Sequence, residues 1–255
     1  MNDPEIIIEV RDLKAGYGDK MILEHVTFQA RRGEVLVIIG RSGSGKSTLL
    51  KHLIGLNPPL AGEVWIEGKN LVQSSGKERR TLLRSFGVLY QSGALFGSMS
   101  VLENVRLPLD ELADLPPLAR ELVALSKLEL VGLTDAARKR PAELSGGMQK
   151  RAAIARAMAL DPRIMFLDEP TVGLDPITSA ELDELILGLS RDFGITFVIV
   201  THELPTIYAI ASRVLMVDEE SHTIIAQGRP DDLRDHSKDP RVHRFFHRQP
   251  LAPAP

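Results

Sequence analysis

The sequence predicts an α/β fold built on a buried parallel sheet, with a β-rich start and a helical insertion, and three observations carry the prediction. VLVII at 35–39 is short, wholly apolar and β-branched, as suits a strand covered on both faces, and a glycine-rich turn follows it at once. Apolar runs at 164–167, 196–200 and 214–217, with a helical stretch at 178–189 between the first two, repeat the strand-helix alternation of a parallel sheet. Between about residues 92 and 160 the β-branched runs disappear and apolar residues recur at helical spacing, as in Met148, Ala152, Ala155 and Ala159.

Taken in order, residues 6–10 and 26–30 read as strands, with Gly16, Tyr17 and Gly18 marking a turn between them. After the 35–39 strand and its turn, residues 47–56 predict a helix, because Leu49, Leu50, Leu53 and Ile54 share a face and Pro58-Pro59 cannot continue it. GEVWIEG and GVLYQ place further strands at 64–66 and 88–90. Beyond Gly228 the chain turns polar, rich in His and Arg, and ends in LAPAP, which predicts a loosely held extension over 229–255.

At 255 residues and 44% apolar content, the chain has room for one large domain or one domain with an inserted subdomain. A net charge of -3, with both signs interspersed, gives no general attraction to nucleic acid or to an anionic bilayer. With no cysteine, disulfides and thiolate-bound metals are excluded. The longest apolar runs fall far below the ~20 residues of a membrane span, and the MNDPEIIIEVRD start lacks the basic region of a secretion signal. A chain soluble by itself is predicted, with any membrane association made through a partner.

GRSGSGKST begins right after the 35–39 strand and runs into the 47–56 helix, the context a phosphate-binding loop requires. In Gly40, Arg41, Ser42, Gly43, Ser44 and Gly45 the glycines let successive backbone amides curl toward a phosphate, and the helix start adds a positive dipole end. Lys46 is placed to bridge the β- and γ-phosphates of ATP, Ser47 to ligate Mg²⁺, and Thr48 to bind the nucleotide beside them. IMFLDE ends another strand in two acids at the edge where open α/β sheets place ligands. Asp168 is the candidate Mg²⁺ carboxylate, and Glu169 the candidate base for an attacking water.

LSGGMQKR precedes a predicted helix, so Ser145 takes the N-cap while Gly146 and Gly147 expose first-turn amides. This is a second anion-binding helix start, although Lys46 already serves one γ-phosphate. Dimerisation resolves the surplus, with each ATP clamped between the 40–47 loop of one chain and Ser145 to Gly147 of the other.

GRSGSGKST, LSGGMQ, IMFLDEP, TVGLDP and TH, in that order, resemble the nucleotide-binding subunits of ABC transporters over nearly all of residues 5–228. The resemblance implies a P-loop NTPase (ABC ATPase) with a RecA-like parallel-sheet core at about 5–91 and 161–228, an N-terminal antiparallel β subdomain and an inserted helical subdomain at about 92–160. It implies a head-to-tail homodimer, closed by two ATP and reopened by hydrolysis. By resemblance Tyr17 stacks on adenine, Gln91 contacts Mg²⁺ and the attacking water, and Asp175 signals across the dimer. His202 touches the γ-phosphate, and its position after a strand at the ligand-bearing edge agrees. Met148 and Val172-Gly173 depart from common family residues without removing a phosphate or water contact.

The stretch QSGALFGSMSVLENV and TVGLDP resemble the ATPases of lipid-transporting systems associated with mammalian-cell-entry proteins. That likeness implies phospholipid cargo and a place on the cytoplasmic face of a Gram-negative inner membrane. The partners it implies are integral-membrane permease subunits, a periplasmic lipid-binding protein complex and a small STAS-domain regulator, with no nucleic acid. An importer ATPase for another small solute, a non-transport ABC ATPase and a non-hydrolysing sensor are the competing classes. The chain has neither the doubled cassette of translation-type relatives nor the long coiled coils of repair-type ones, and Glu169 and His202 belong to hydrolysis rather than sensing. In the tail, Phe245-Phe246 either anchor on a neighbouring subunit or regulator, or belong to a frayed terminus.

Overall fold

The computed structural model describes residues 5–249; residues 1–4, Pro250 and the LAPAP end lie outside the described residues. Strands β1 (Ile6–Tyr17) and β2 (Lys20–Arg31) pair antiparallel, and β3 (Val35–Ile39) leaves them for the middle of a second sheet. β4 (Ala61–Ile66) and β5 (Lys69–Asn70) complete the first sheet in the order β2-β1-β4-β5. β6 (Phe86–Leu89), β7 (Ile164–Asp168), β8 (Thr196–Val200), β9 (Arg213–Asp218) and β10 (Thr223–Gly228) give the second the order β10-β9-β3-β8-β7-β6. Its pairings are parallel except for β10 against β9.

Continuous apolar runs suit the middle strands because both faces are covered. On β3, Val35, Val37 and Ile39 enter one core cluster while Leu36 and Ile38 enter the other. β8 divides in the same way, Phe197 and Ile199 against Val198 and Val200. The second of these clusters fills the space between this sheet, the antiparallel sheet and α1 (Lys46–Leu53). The first lies under α3 (Val101–Leu112), α4 (Pro117–Leu130), α5 (Gly146–Ala157), α6 (Pro176–Phe193) and α7 (Leu204–Ile210), whereas α2 (Gly76–Arg84) buries only Leu82.

The structure lengthens several predicted elements and corrects one. β1 and β2 reach twelve residues each because register shifts, with Asp12 at φ 44° and His25 at φ 53°, break the alternation that a sequence pattern reads. The helix predicted over 47–56 runs from Lys46 to Leu53, and α2 and β10 were not anticipated. The tail is not loosely held through its described part. It forms α8 (Pro230–His236) and α9 (Pro240–Phe246), whose Val242 and Phe246 are buried in the first cluster, and Arg241 pairs with Asp218 at 2.7 Å.

Candidate functional site

β3, β8, β7 and β6 are neighbours running the same way, so the residues that follow them meet at one edge. Gly40 follows β3, His202 follows β8, Glu169 follows β7 and Gln91 follows β6. With the rest of the 40–48 loop, Ser44 excepted, they line one open cleft of about 810 Å³.

The loop has no room for larger residues at its bends. Gly45 sits at φ 95°, and a Cβ there would lie 2.8 Å from Ile22 Cγ2; at Gly40 it would lie 2.4 Å from the Val217 carbonyl oxygen. Ser44 is buried beneath the loop, and Arg41 pairs with Glu219 at 3.3 Å. Lys46, 7% exposed, donates from Nζ to the carbonyls of Gly40 and Arg41, both at 2.9 Å. Burial pushes its pKa down, and the nearby Glu169 and Asp168 carboxylates push back.

Ser47 Oγ donates to Asp168 Oδ1 at 3.1 Å. Burial raises the Asp168 carboxyl, the Ser47 hydroxyl lowers it, and Glu169 raises it again. A hydroxyl and a carboxylate that converge in this way fit magnesium, which takes one or two protein oxygens and completes its shell with phosphate oxygens and water. Glu169 holds a left-handed backbone, φ 47°, with its amide donating to the Val200 carbonyl at 2.8 Å. Its Oε1 lies 2.8 Å from His202 Nδ1, while Oε2 is buried with no hydrogen-bond partner among the described residues. An orphan acceptor of this kind calls for a partner from the cleft, and a water supplies one.

Other predicted residues stand apart from the cleft. Tyr17, 44% exposed, lies beside the loop with its hydroxyl 3.4 Å from both Thr48 Oγ1 and Lys51 Nζ. Ser145 caps α5 by accepting from the Met148 amide at 3.3 Å, and it and Gly146 are exposed. Asp175 caps α6, accepting from the Ile177 and Thr178 amides at 3.0 and 3.1 Å; the Thr178 hydroxyl and these amides hold its carboxyl below the usual range. Within one chain, therefore, Ser145 to Gly147 and Asp175 do not reach the phosphate loop's cleft.

Sequence reasoning missed two contributors. Lys150 is buried against the backbone of Gln91 and Glu169, and nothing in its local pattern marks it. Phe245, weighed above as an anchor to another subunit or a frayed end, lines the cleft wall of its own chain.

Residues 23–172 match the ABC transporter family. The chain belongs to that family. It is 39% identical over 240 residues to the Escherichia coli intermembrane phospholipid transport system ATP-binding protein MlaF, covering 94% of this chain and 88% of that one. To the probable ribonucleotide transport ATP-binding protein mkl of Mycobacterium leprae it is 38% identical, over 97% of this chain and 71% of that one. The fold is similar to cbiO1 of Clostridium perfringens, part of the ABC transporter complex cbiONQ, with TM-score 0.83, 29% identity and coverage of 95% and 98%. The dimeric post-hydrolysis state of the ATP-binding cassette MJ0796, bound to ADP and Pi, is similar at TM-score 0.78 and 30% identity, over 88% of this chain and 98% of that one.

The ABC ATPase fold predicted from the sequence is thus the fold observed: a mixed sheet with a parallel core, an antiparallel β sheet beside it, and helices. The chain is an ATP-binding, ATP-hydrolysing ABC cassette, a subunit that dimerises and works with membrane permease subunits. Among the described residues no helix is long and apolar enough to cross a membrane.

Proposed function

We propose that two copies of this chain clamp two Mg-ATP head to tail and so power phospholipid transport through a partner permease, from the cytoplasmic face of an inner membrane. One observation carries the dimeric site: the cleft holds the phosphate loop, Gln91, Glu169 and His202, while Ser145 and Gly146 at the second helix start lie exposed outside it. In this arrangement Lys46 takes the β- and γ-phosphates, Tyr17 stacks on adenine, and the partner's exposed helix start supplies further amide donors. Ser47, Asp168 and Gln91 would hold a magnesium ion, which when bound would neutralise phosphate charge.

Glu169 accepts the proton of the attacking water at Oε2 while Oε1 stays on His202. His202, held at Nδ1 by Glu169, lines the same cleft and is the γ-phosphate contact. Asp175, at the start of α6, carries the signal between the two sites. The likeness to MlaF supports phospholipid as cargo. A periplasmic lipid-binding complex and a STAS-domain regulator are further partners proposed from the sequence motifs alone. The likeness to mkl favours a second cargo, a ribonucleotide. Purification of the full chain from solubilised membranes separates them. A co-purifying permease with bound phospholipid is expected, and a permease without lipid overturns the first cargo.

A further inference from the structure

Lys150 lies in the second turn of α5, five residues past Ser145, and is 7% exposed despite its charge. Its ammonium donates to the carbonyl oxygen of Gln91 at 2.5 Å and to that of Glu169 at 3.2 Å. No carboxylate pairs with it at ion-pair distance among the described residues; Asp168, Glu169 and Glu203 act on it only through their longer-range field. A buried amine held by two carbonyls is costly to desolvate, and an apolar side chain would fill the space more cheaply.

The two carbonyls belong to the ends of β6 and β7, and so to two residues of the cleft. Glu169 has the left-handed backbone, which persists only where the surroundings hold it. Val200 holds its amide from one side and Lys150 its carbonyl from the other. On the same helix Arg156 donates to the carbonyls of Gly93 and Ala94 at 2.9 and 2.7 Å, so the segment after Gln91 is fastened to α5 as well.

We propose that Lys150 is a positioning residue for ATP hydrolysis, joining Gln91 and Glu169 through their carbonyls and tying both to the helix that begins with Ser145 to Gly147. The half-site that one chain offers its partner is thereby fixed to the hydrolytic residues of its own cleft. This rests on the roles given above to Glu169 and Gln91.

The test compares Lys150→Met and Lys150→Arg in the purified full chain, measuring ATP turnover and equilibrium affinity for ATP. Lys150→Met is expected to lower kcat by about ten- to a hundredfold, the scale of a misplaced reacting group, and to leave ATP affinity within about twofold. Lys150→Arg, which keeps the charge and can reach both carbonyls, is expected to recover most of the rate. Wild-type kcat in Lys150→Met, or a fall in affinity matching the fall in rate, overturns the proposal. Should that variant fail to fold, Lys150→Gln, which keeps a donor for one carbonyl, is read by the same split, and wild-type kcat there also overturns it. Full turnover in Glu169→Gln would sink the underlying roles; a dead Glu169→Gln beside a fully active Lys150→Met would sink this inference alone.

Discussion

The phosphate loop and the Ser145 helix start share ingredients, glycine, serine and a helix N-terminus, but differ in how far one chain completes them. Around the loop, Ile22, Leu23 and Val217 close on the glycines, and Lys46 has two carbonyls for its ammonium. Around the second start, the near neighbours of Gly146 and Gly147 are Leu174 and Thr178, and Ser145 stays open to solvent. A phosphate site walled by its own chain can bind alone. One left open needs a surface brought by another molecule, which is what dimerisation provides.

The sharpest way to break that comparison is to leave both half-sites intact and remove the base between them. Glu169→Gln is expected to lower turnover by about a hundredfold or more, the span of general base catalysis, while phosphate contacts remain. ATP should therefore accumulate the dimer, read by size-exclusion chromatography with light scattering. Turnover at the wild-type rate would remove Glu169 from its role.

A paired measurement sharpens the division. Lys46→Ala should weaken ATP binding by about tenfold or more, since a hydrogen bond to a charged group contributes about 1.5–3 kcal/mol. Gly147→Ala puts a Cβ 2.3 Å from Thr178 Cγ2, so the Thr178 side chain beside the Asp175 cap must move. It should spare ATP affinity and diminish ATP-dependent dimerisation. Equal losses of affinity in the two variants would show that the two starts are not separate.

The cleft was legible in the sequence because its parts are local: a β-branched run, a glycine loop and a helix stand in order, and two acids end a strand. Lys150 was not, because its partners are backbone carbonyls 59 and 19 residues away and leave no pattern in neighbouring residues. The tail was misread for a related reason. Its His and Arg suggest a solvated end, yet Leu233, Val242 and Phe246 at irregular intervals bury it, and Arg241 finds Asp218 across 23 residues. In β1 and β2 bulges broke the alternation, so only fragments of each strand could be read.

The smallest predicted effect concerns a buried charge on α6, the helix whose start walls the open half-site. The buried ammonium of Lys46 is matched by carbonyls and acids, but Asp183, 5% exposed, leaves Oδ1 with no partner among the described residues. Burial raises its pKa from 3.8 to about 6, against the pull of the Thr206 hydroxyl, and Glu203 adds repulsion. Between those two values the folded state binds more protons than the unfolded one, so stability falls as pH rises through the window, and ionised Asp183 is a standing cost at neutral pH. Asp183→Asn removes the charge and should stabilise the chain there by about 1–3 kcal/mol, with the gain fading at about pH 4 and below. Denaturant midpoints at both pH values check it. A gain of equal size at both would trace the effect to packing rather than charge, and no gain at neutral pH would show that the carboxylate is already compensated, as Lys46 is.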